Sequence, residues 1–125
     1  MPPRGGGRGL DTGVRKNPPN FSGGESRRLL LARMLLGNSR VCLLDEPEAG
    51  LPSATAEQIL AAVAAEAGGR THLVVTHAPH LLKSDFNVVM HEGKVVATGS
   101  HDELKETCAI YRDLLADALK GPSAA

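Results

Sequence analysis

Two adjacent carboxylates, Asp45 and Glu46, are the residues of this chain best suited to chemistry. They end the apolar run Val41–Leu44, a pattern that favours a buried parallel strand. Ligands of α/β folds bind at the carboxyl ends of such strands. We expect Asp45 to hold a Mg²⁺ ion, directly or through water, and Glu46 to polarise an attacking water. The pair suggests hydrolysis that uses a metal ion.

Two further segments, the motif FSGGE and a histidine after a strand, extend this pattern. Ser22, Gly23 and Gly24 lie at a predicted helix start, where bare N–H groups and the helix dipole bind anions. His77 follows the apolar strand THLVVT, from which it can reach the γ-phosphate of a nucleotide. Together the segments indicate nucleotide hydrolysis. Singly, each has an ordinary alternative: a serine-capped helix, a strand-end turn and a surface histidine.

The order and spacing of these segments resemble the ATP-binding domain of ABC transporters, from about Gly9 to about Leu119. FSGGE resembles the family signature, VCLLDE the Walker B strand with its catalytic glutamate, PEAGLPS the D-loop, and His77 the switch histidine. The resemblance implies ATP and Mg²⁺ as cofactors, with Asp45 as the Mg²⁺ ligand and with Glu46 and His77 in catalysis. It also implies signature residues that act in trans, on ATP held by a second ABC ATP-binding domain: Ser22, Gly23, Gly24 and Glu25.

The remaining pattern predicts an α/β fold, with parallel strands, flanking helices and a terminal β-hairpin. Ser22 is expected to cap a helix from about Gly24 to Leu36, which Gly37 ends. The predicted apolar stripe of this helix comprises Leu29, Leu30, Met34 and Leu36. A strand at 40–45, a helix from Ser53 or Thr55 to about 68–69, and a second parallel strand at 71–76 follow.

The C-terminal third is predicted to contain a helix–loop at 78–84, a hairpin and a last helix. FNVVM and KVVAT form the hairpin strands, with Gly93 at a turn position that needs a positive φ. Ser100 is expected to cap the last helix, at about 101–120.

A phosphate-binding P-loop is the feature of the family that these 125 residues do not contain. It needs the pattern GxxxxGK[ST], whereas the one Gly-Lys pair here, Gly93-Lys94, is followed by Val95. We therefore predict the C-terminal portion of an ABC-type P-loop NTPase domain at residues 9–120. Residues 1–8 would be a disordered N-terminus and 121–125 a tail, in a truncated product or fragment that is inactive without a complementing domain.

Two departures from the family pattern affect expected interfaces. Pro52 stands in the D-loop where the family usually has Asp, and proline lacks an N–H and fixes φ. Cross-dimer contacts there should differ. Arg15 and Lys16 replace the Gly-Glu that is common in the exporter loop ahead of the signature, which puts coupling to the transmembrane transport domain in doubt.

The resemblance favours an exporter, with some likeness to the bacterial cysteine/glutathione exporter associated with cytochrome bd assembly. It implies a peripheral ATP-binding subunit on the cytoplasmic face of the inner or plasma membrane; the isolated chain would be cytoplasmic. One alternative is a soluble ABC-type ATPase of the DNA-repair and chromosome-maintenance kind, against which the transporter-like tail HEGKVVATGSHDEL argues. Another is a non-catalytic, truncated remnant.

The amino-acid composition fits one globular domain with a modest hydrophobic core, and it indicates little about binding partners. Hydrophobic residues make up 42% and aromatic residues 2%, so the core must consist of Leu, Val and Ala. The formal net charge is zero, although residues 1–40 carry eight basic against two acidic side chains. We expect no nucleic-acid partner, because several of these arginines fall on the helix after the signature. The two cysteines form no spaced metal motif.

Overall fold

The computed structural model describes residues 9–17, 19–66 and 69–120. The chain divides into two compact units, Met1–Leu73 and Val74–Ala125. The disordered segment predicted at 1–8 and the tail at 121–125 lie outside the described residues. Helices and strands mix in both units, which confirms the α/β class.

The first unit contains two helices and the strand that carries the carboxylates. A single 3₁₀ turn, Gly9–Asp11, precedes helix α1 (Gly23–Leu36), strand β1 (Val41–Asp45) and helix α2 (Ser53–Ala65). Strand β2 (Thr71–Val75) is hydrogen-bonded to β1 in a two-stranded sheet. Helices α1 and α2 pack against each other. The buried apolar side chains of this unit are Leu31, Cys42, Ala56, Ile59, Leu60 and Val63.

Three of the four residues predicted to form the apolar stripe of α1 are exposed. Leu31 is the one side chain of α1 in the buried class, whereas Leu29, Leu30 and Leu36 are 42%, 59% and 89% exposed. Leucines occupy positions all round this helix, so periodicity alone does not choose a face. Tertiary contacts, and not periodicity, decide which side chain of the helix is buried.

Strand β1 is buried on one side only, so the expected burial holds for the face that carries Cys42. Cys42 is 3% exposed, but Val41 and Leu43 on the opposite face are 56% and 73% exposed. Leu73 of β2 is also 59% exposed. Side chains alternate between the two faces of a strand, so this sheet covers one apolar face and leaves the other open.

The second unit is a hairpin followed by two helices. After a 3₁₀ turn at Pro79–Leu81, antiparallel strands β3 (Asn87–His91) and β4 (Lys94–Gly99) pair in the register His91 opposite Lys94. Both residues of the connecting turn, Glu92 and Gly93, have positive φ, 49° and 74°. Two left-handed residues are what a tight I′-type hairpin turn needs, so the hairpin and the role of its glycine are confirmed.

The last helix is interrupted, contrary to the single helix predicted at about 101–120. Helix α3 (His101–Thr107) ends before Cys108, and helix α4 (Ala109–Leu119) begins after it. Cys108 has extended backbone angles, φ −113° and ψ 110°, and its side chain joins Val89, Leu104 and Tyr111 in the core of this unit. Burial of this small residue accompanies a break that no proline or glycine marks in the sequence.

The cap of α3 agrees with expectation and explains one pKa shift. The Ser100 side chain accepts a hydrogen bond from the Glu103 N–H, and Glu103 Oε2 accepts from the Ser100 N–H at 2.8 Å. These contacts with the backbone and hydroxyl of Ser100 lower the pKa of Glu103 below its ordinary value. In the core nearby, burial raises the pKa of Tyr111, whose hydroxyl lies 2.8 Å from His101 Nδ1.

Candidate functional site

The start of α1 is a fully formed capping box at Ser22. The Ser22 Oγ accepts a hydrogen bond from the Glu25 N–H at 3.2 Å, and Glu25 Oε2 accepts from the Ser22 N–H at 2.7 Å. The first bond along the helix runs from the Ser26 N–H to the Ser22 carbonyl at 2.9 Å. The predicted cap is therefore confirmed, and Glu25 acts in it as the reciprocal acceptor.

The capping box leaves two backbone donors at the helix start. The first N–H groups of a helix have no partner along the helix, and the cap and first helical bond account for those of Glu25 and Ser26. The N–H groups of Gly23 and Gly24 precede the first hydrogen bond along the helix and lie at the positive end of the dipole of a 14-residue helix. This is the geometry that binds phosphate oxygens in proteins.

The two glycines lie against the loop that follows the carboxylates. A Cβ on Gly24 would meet Thr55 Cγ2 at 3.4 Å and Leu51 Cδ2 at 3.9 Å, and a Cβ on Gly23 would meet the same leucine carbon at 4.0 Å. Pro52 supplies the N-cap position of α2 without a side-chain hydrogen bond. The start of α1 is thus packed beside the start of α2, a contact between distant segments that sequence spacing does not signal.

The two carboxylates occupy the end of β1 and the turn after it. Asp45 is the last residue of β1 and is exposed. Glu46 has φ 42°, a left-handed conformation that is unfavourable for a side chain with a Cβ. Its carbonyl accepts a hydrogen bond from the Ala49 N–H at 3.0 Å, and Pro47, which follows it, is buried. Strained residues of this kind cluster at functional sites.

A shallow groove adjoins Asp45. Its volume is about 180 Å³. It is lined by Arg27, Leu30, Leu31, Met34, Leu43, Leu44, Asp45, Pro47 and Ile59. Among residues 9–17, 19–66 and 69–120, no group of three or more His, Cys, Asp or Glu side chains is arranged to hold a metal ion. A lone exposed carboxylate still suits Mg²⁺, which binds through one or two carboxylates, several waters and substrate phosphates.

His77 lies in the second unit, two residues after the end of β2. The Thr76 hydroxyl before it accepts a hydrogen bond from the Ala78 N–H at 2.9 Å. This local turn fixes the backbone on both sides of the histidine, which is exposed. The predicted site residues therefore divide between the units, with the signature and the carboxylates in the first and His77 in the second.

Comparison with known proteins decides the family. A model of the family described as ABC transporter matches residues 5–49. The chain is 38% identical over 116 residues to an ATP-dependent lipid A-core flippase of Pseudomonas fluorescens, which covers 92% of the chain and 19% of that protein. The chain carries part of an ABC transporter ATP-binding domain. Further relatives support this assignment across bacteria and fungi.

An ABC transporter of Aspergillus oryzae, named aclQ, is 34% identical over 113 residues, which cover 90% of the chain and 14% of that protein. A solved structure of a bacterial Atm1-family ABC exporter with ATP bound superposes with a TM-score of 0.74 at 30% identity, covering 94% of the chain and 20% of the exporter chain. The chain spans between about a seventh and a fifth of the length of these relatives. One of them is named a flippase and another an exporter; the finer likeness to a cysteine/glutathione exporter stays a prediction.

Within the ABC domain, two features of the site were readable from sequence and two were not. Ser22 predicted the helix cap, and the apolar run before Asp45 predicted the strand. The left-handed Glu46 and the contact of Leu51 with the signature glycines had no sequence signal, because both depend on how the loop after β1 returns to α1.

Proposed function

We propose that this chain supplies the signature, Walker B, D-loop and switch-histidine segments of an ABC exporter ATP-binding domain, at residues 9–120. In this role it acts on Mg-ATP and couples hydrolysis to export across a membrane. The observation that carries the proposal is the capped start of α1, because a serine hydroxyl and glycine N–H groups at a helix start are donors of the kind that bind phosphate oxygens.

The signature residues would act on a nucleotide bound by another domain. The two glycines have no side chains, so a phosphate can approach their N–H groups closely. The Ser22 hydroxyl already accepts from Glu25 and keeps its own proton for donation. Hydrogen bonds to charged groups are worth about 1.5–3 kcal/mol each, so three such donors suffice to make association depend on nucleotide.

The carboxylates and the histidine would carry the hydrolytic step. Asp45 is the residue that would hold Mg²⁺, which neutralises charge on the phosphates. Glu46 accepts a proton from the attacking water as a general base, and its fixed left-handed backbone limits the directions its side chain can take. His77 donates a hydrogen bond to the γ-phosphate. Each role follows from residue chemistry and from the family to which the chain belongs.

The partners in this proposal are a second ABC ATP-binding domain and a transmembrane transport domain. In the part of the chain that the structure describes, no helix is long and apolar enough to cross a bilayer. In this proposal the chain lies on the cytoplasmic face of the membrane, in contact with the transport domain. Pro52 at the start of α2 offers no side-chain acceptor or donor, so contacts of the D-loop across the dimer should be weaker than in relatives with Asp.

The test is phosphate release with and without a polypeptide that carries the P-loop. The 125-residue chain contains no GxxxxGK[ST], so we expect no turnover above background at millimolar Mg-ATP. Adding an ABC segment with the P-loop should restore turnover, and Glu46→Gln should lower the restored rate at least about hundredfold. Glu57→Gln, on the exposed side of α2, is the matched control. Turnover by the chain alone, or equal rates for both variants, would contradict the proposal.

A further inference from the structure

The C-terminal end of α1 is held by an arginine from a distant part of the first unit. Arg70 Nη1 donates a hydrogen bond to the Met34 carbonyl at 3.3 Å, and Nη2 donates to the Leu35 carbonyl at 3.1 Å. A cation suits the negative end of a helix dipole. The Met34 carbonyl also accepts a hydrogen bond from the Gly37 N–H at 3.1 Å, so the guanidinium adds one hydrogen bond to each of two carbonyls at the end opposite Ser22.

Arg70 is itself fixed on both sides. Its Nη2 lies 3.8 Å from Glu66 Oε1, and the Arg70 side chain is 20% exposed. The next residue, Thr71, begins β2, and its N–H donates to the Arg40 carbonyl at 2.9 Å. The residue that carries the guanidinium is therefore held directly before the first residue of β2.

Burial of side chains along α1 is limited. Leu31 is the one buried side chain of the helix, and the helix start is packed against Leu51 and Thr55. The direction of the C-terminal end therefore depends on contacts close to that end. The helix has 14 residues and is about 21 Å long at ~1.5 Å per residue. A tilt of about 10° at the C-terminal end would move its start by about 4 Å. Binding constellations tolerate displacements of only about 0.5 Å.

We propose that Arg70 is a positioning residue for the signature: it fixes the direction of α1 and so places Ser22, Gly23 and Gly24 for a phosphate. Arg70 lies at the opposite end of α1 from these three residues. The expected effect on association with another domain rests on the proposed function. The expected effect on the direction of α1 concerns this chain alone. A flat, forked donor is required because two successive carbonyls are held at once, which a lysine ammonium reproduces only in part.

The second unit provides a matched control. Arg112 Nη1 donates to the Lys105 carbonyl at 3.1 Å and to the Glu106 carbonyl at 2.9 Å, at the end of α3. Like Arg70, Arg112 donates to two carbonyls at a helix end, although it does so through one nitrogen and in an exposed position; α3 carries no predicted site residue at its start. Arg70→Met and Arg112→Met remove the same kind of contact from two helices, and only the first helix bears the signature.

The first measurement is amide hydrogen exchange of the chain alone, with the first two turns of α2 as the internal reference, because Glu66 at the other end of α2 contacts Arg70. We expect Arg70→Met to speed exchange along α1, up to its first turn, by about tenfold, and to leave this reference within about twofold. Arg70→Lys should fall between the wild type and Arg70→Met, and Arg112→Met should leave α1 unchanged. Equal acceleration of α1 and the reference would mean that Arg70 serves general stability, and no acceleration of α1 would mean that it holds nothing; either overturns the proposal.

The second measurement is ATP-dependent association with an intact ABC ATP-binding domain. We expect Arg70→Met to weaken it about tenfold, Arg70→Lys less, and Arg112→Met within about twofold. Equal effects of Arg70→Met and Arg112→Met would overturn the role in the site. If the wild-type chain shows no such association, the proposed function fails, and hydrogen exchange alone decides whether Arg70 fixes the direction of α1.

Discussion

At Glu46 we predict that glycine gives a more stable protein than alanine, because of the backbone conformation of this residue. Its φ of 42° is in the left-handed region, where a residue with a Cβ is destabilised by about 1–2 kcal/mol. Glycine has no such cost. Removing the glutamate side chain in two ways, as Glu46→Gly and as Glu46→Ala, loses the same side-chain contacts and differs mainly in backbone freedom. We expect Glu46→Gly to be the more stable variant by about 1 kcal/mol, after subtracting the greater flexibility of glycine in the unfolded chain.

The matched pair for this comparison is Glu57→Gly and Glu57→Ala, at an exposed position inside α2. Helical backbone favours alanine over glycine by about 1 kcal/mol, so the sign should reverse. Urea unfolding followed by far-ultraviolet circular dichroism measures both pairs. Tyrosine fluorescence would not serve, because the single tyrosine, Tyr111, lies in the second unit. A Glu46→Ala variant that is more stable than Glu46→Gly would refute the strained backbone at this residue.

Two further predictions concern the cap of α3. Gly99→Ala should lower the free energy of unfolding by about 2 kcal/mol or more, because φ is 155° and the new Cβ would lie 2.9 Å from Glu103 Oε2. Thermal unfolding measures this change. An unchanged unfolding midpoint would contradict the prediction. The lowered pKa of Glu103 means that its ionised form stabilises the fold at neutral pH and that this contribution disappears as pH falls through the folded-state pKa. The difference in midpoint between wild type and Glu103→Gln should therefore shrink from about pH 7 to about pH 3, and a constant difference would argue against the hydrogen bonds to Ser100 as its source.

Local chemistry made several elements predictable from sequence. Ser22 with Glu25, and Ser100 with Glu103, form capping boxes because each pair places an acceptor within reach of backbone donors of the first turn. Gly93 ends a two-residue hairpin turn because the turn requires positive φ. These outcomes depend on residues no more than three positions apart.

Features set by distant contacts were not predictable. Leu31 is buried whereas Leu29 and Leu30 are exposed, although all three lie on one helix that packs against α2. The break at Cys108 follows from burial of its side chain among core residues of the second unit. The attachment of α1 through Arg70 joins residues that are 35 and 36 positions apart. In each case the deciding partner lies far along the chain, so neither periodicity nor local propensity identifies it.

The central claim is that the start of α1 binds the phosphates of ATP held by another domain. The most direct test is association of this chain with an intact ABC exporter ATP-binding domain, measured by sedimentation with and without a slowly hydrolysed ATP analogue. Ser22→Arg places bulk and charge at the cap, and Ser39→Arg places the same side chain at an exposed serine beyond the end of α1. We predict association that requires the nucleotide, is lost in Ser22→Arg and is kept in Ser39→Arg. Association that needs no nucleotide, or that survives Ser22→Arg, would contradict the claim.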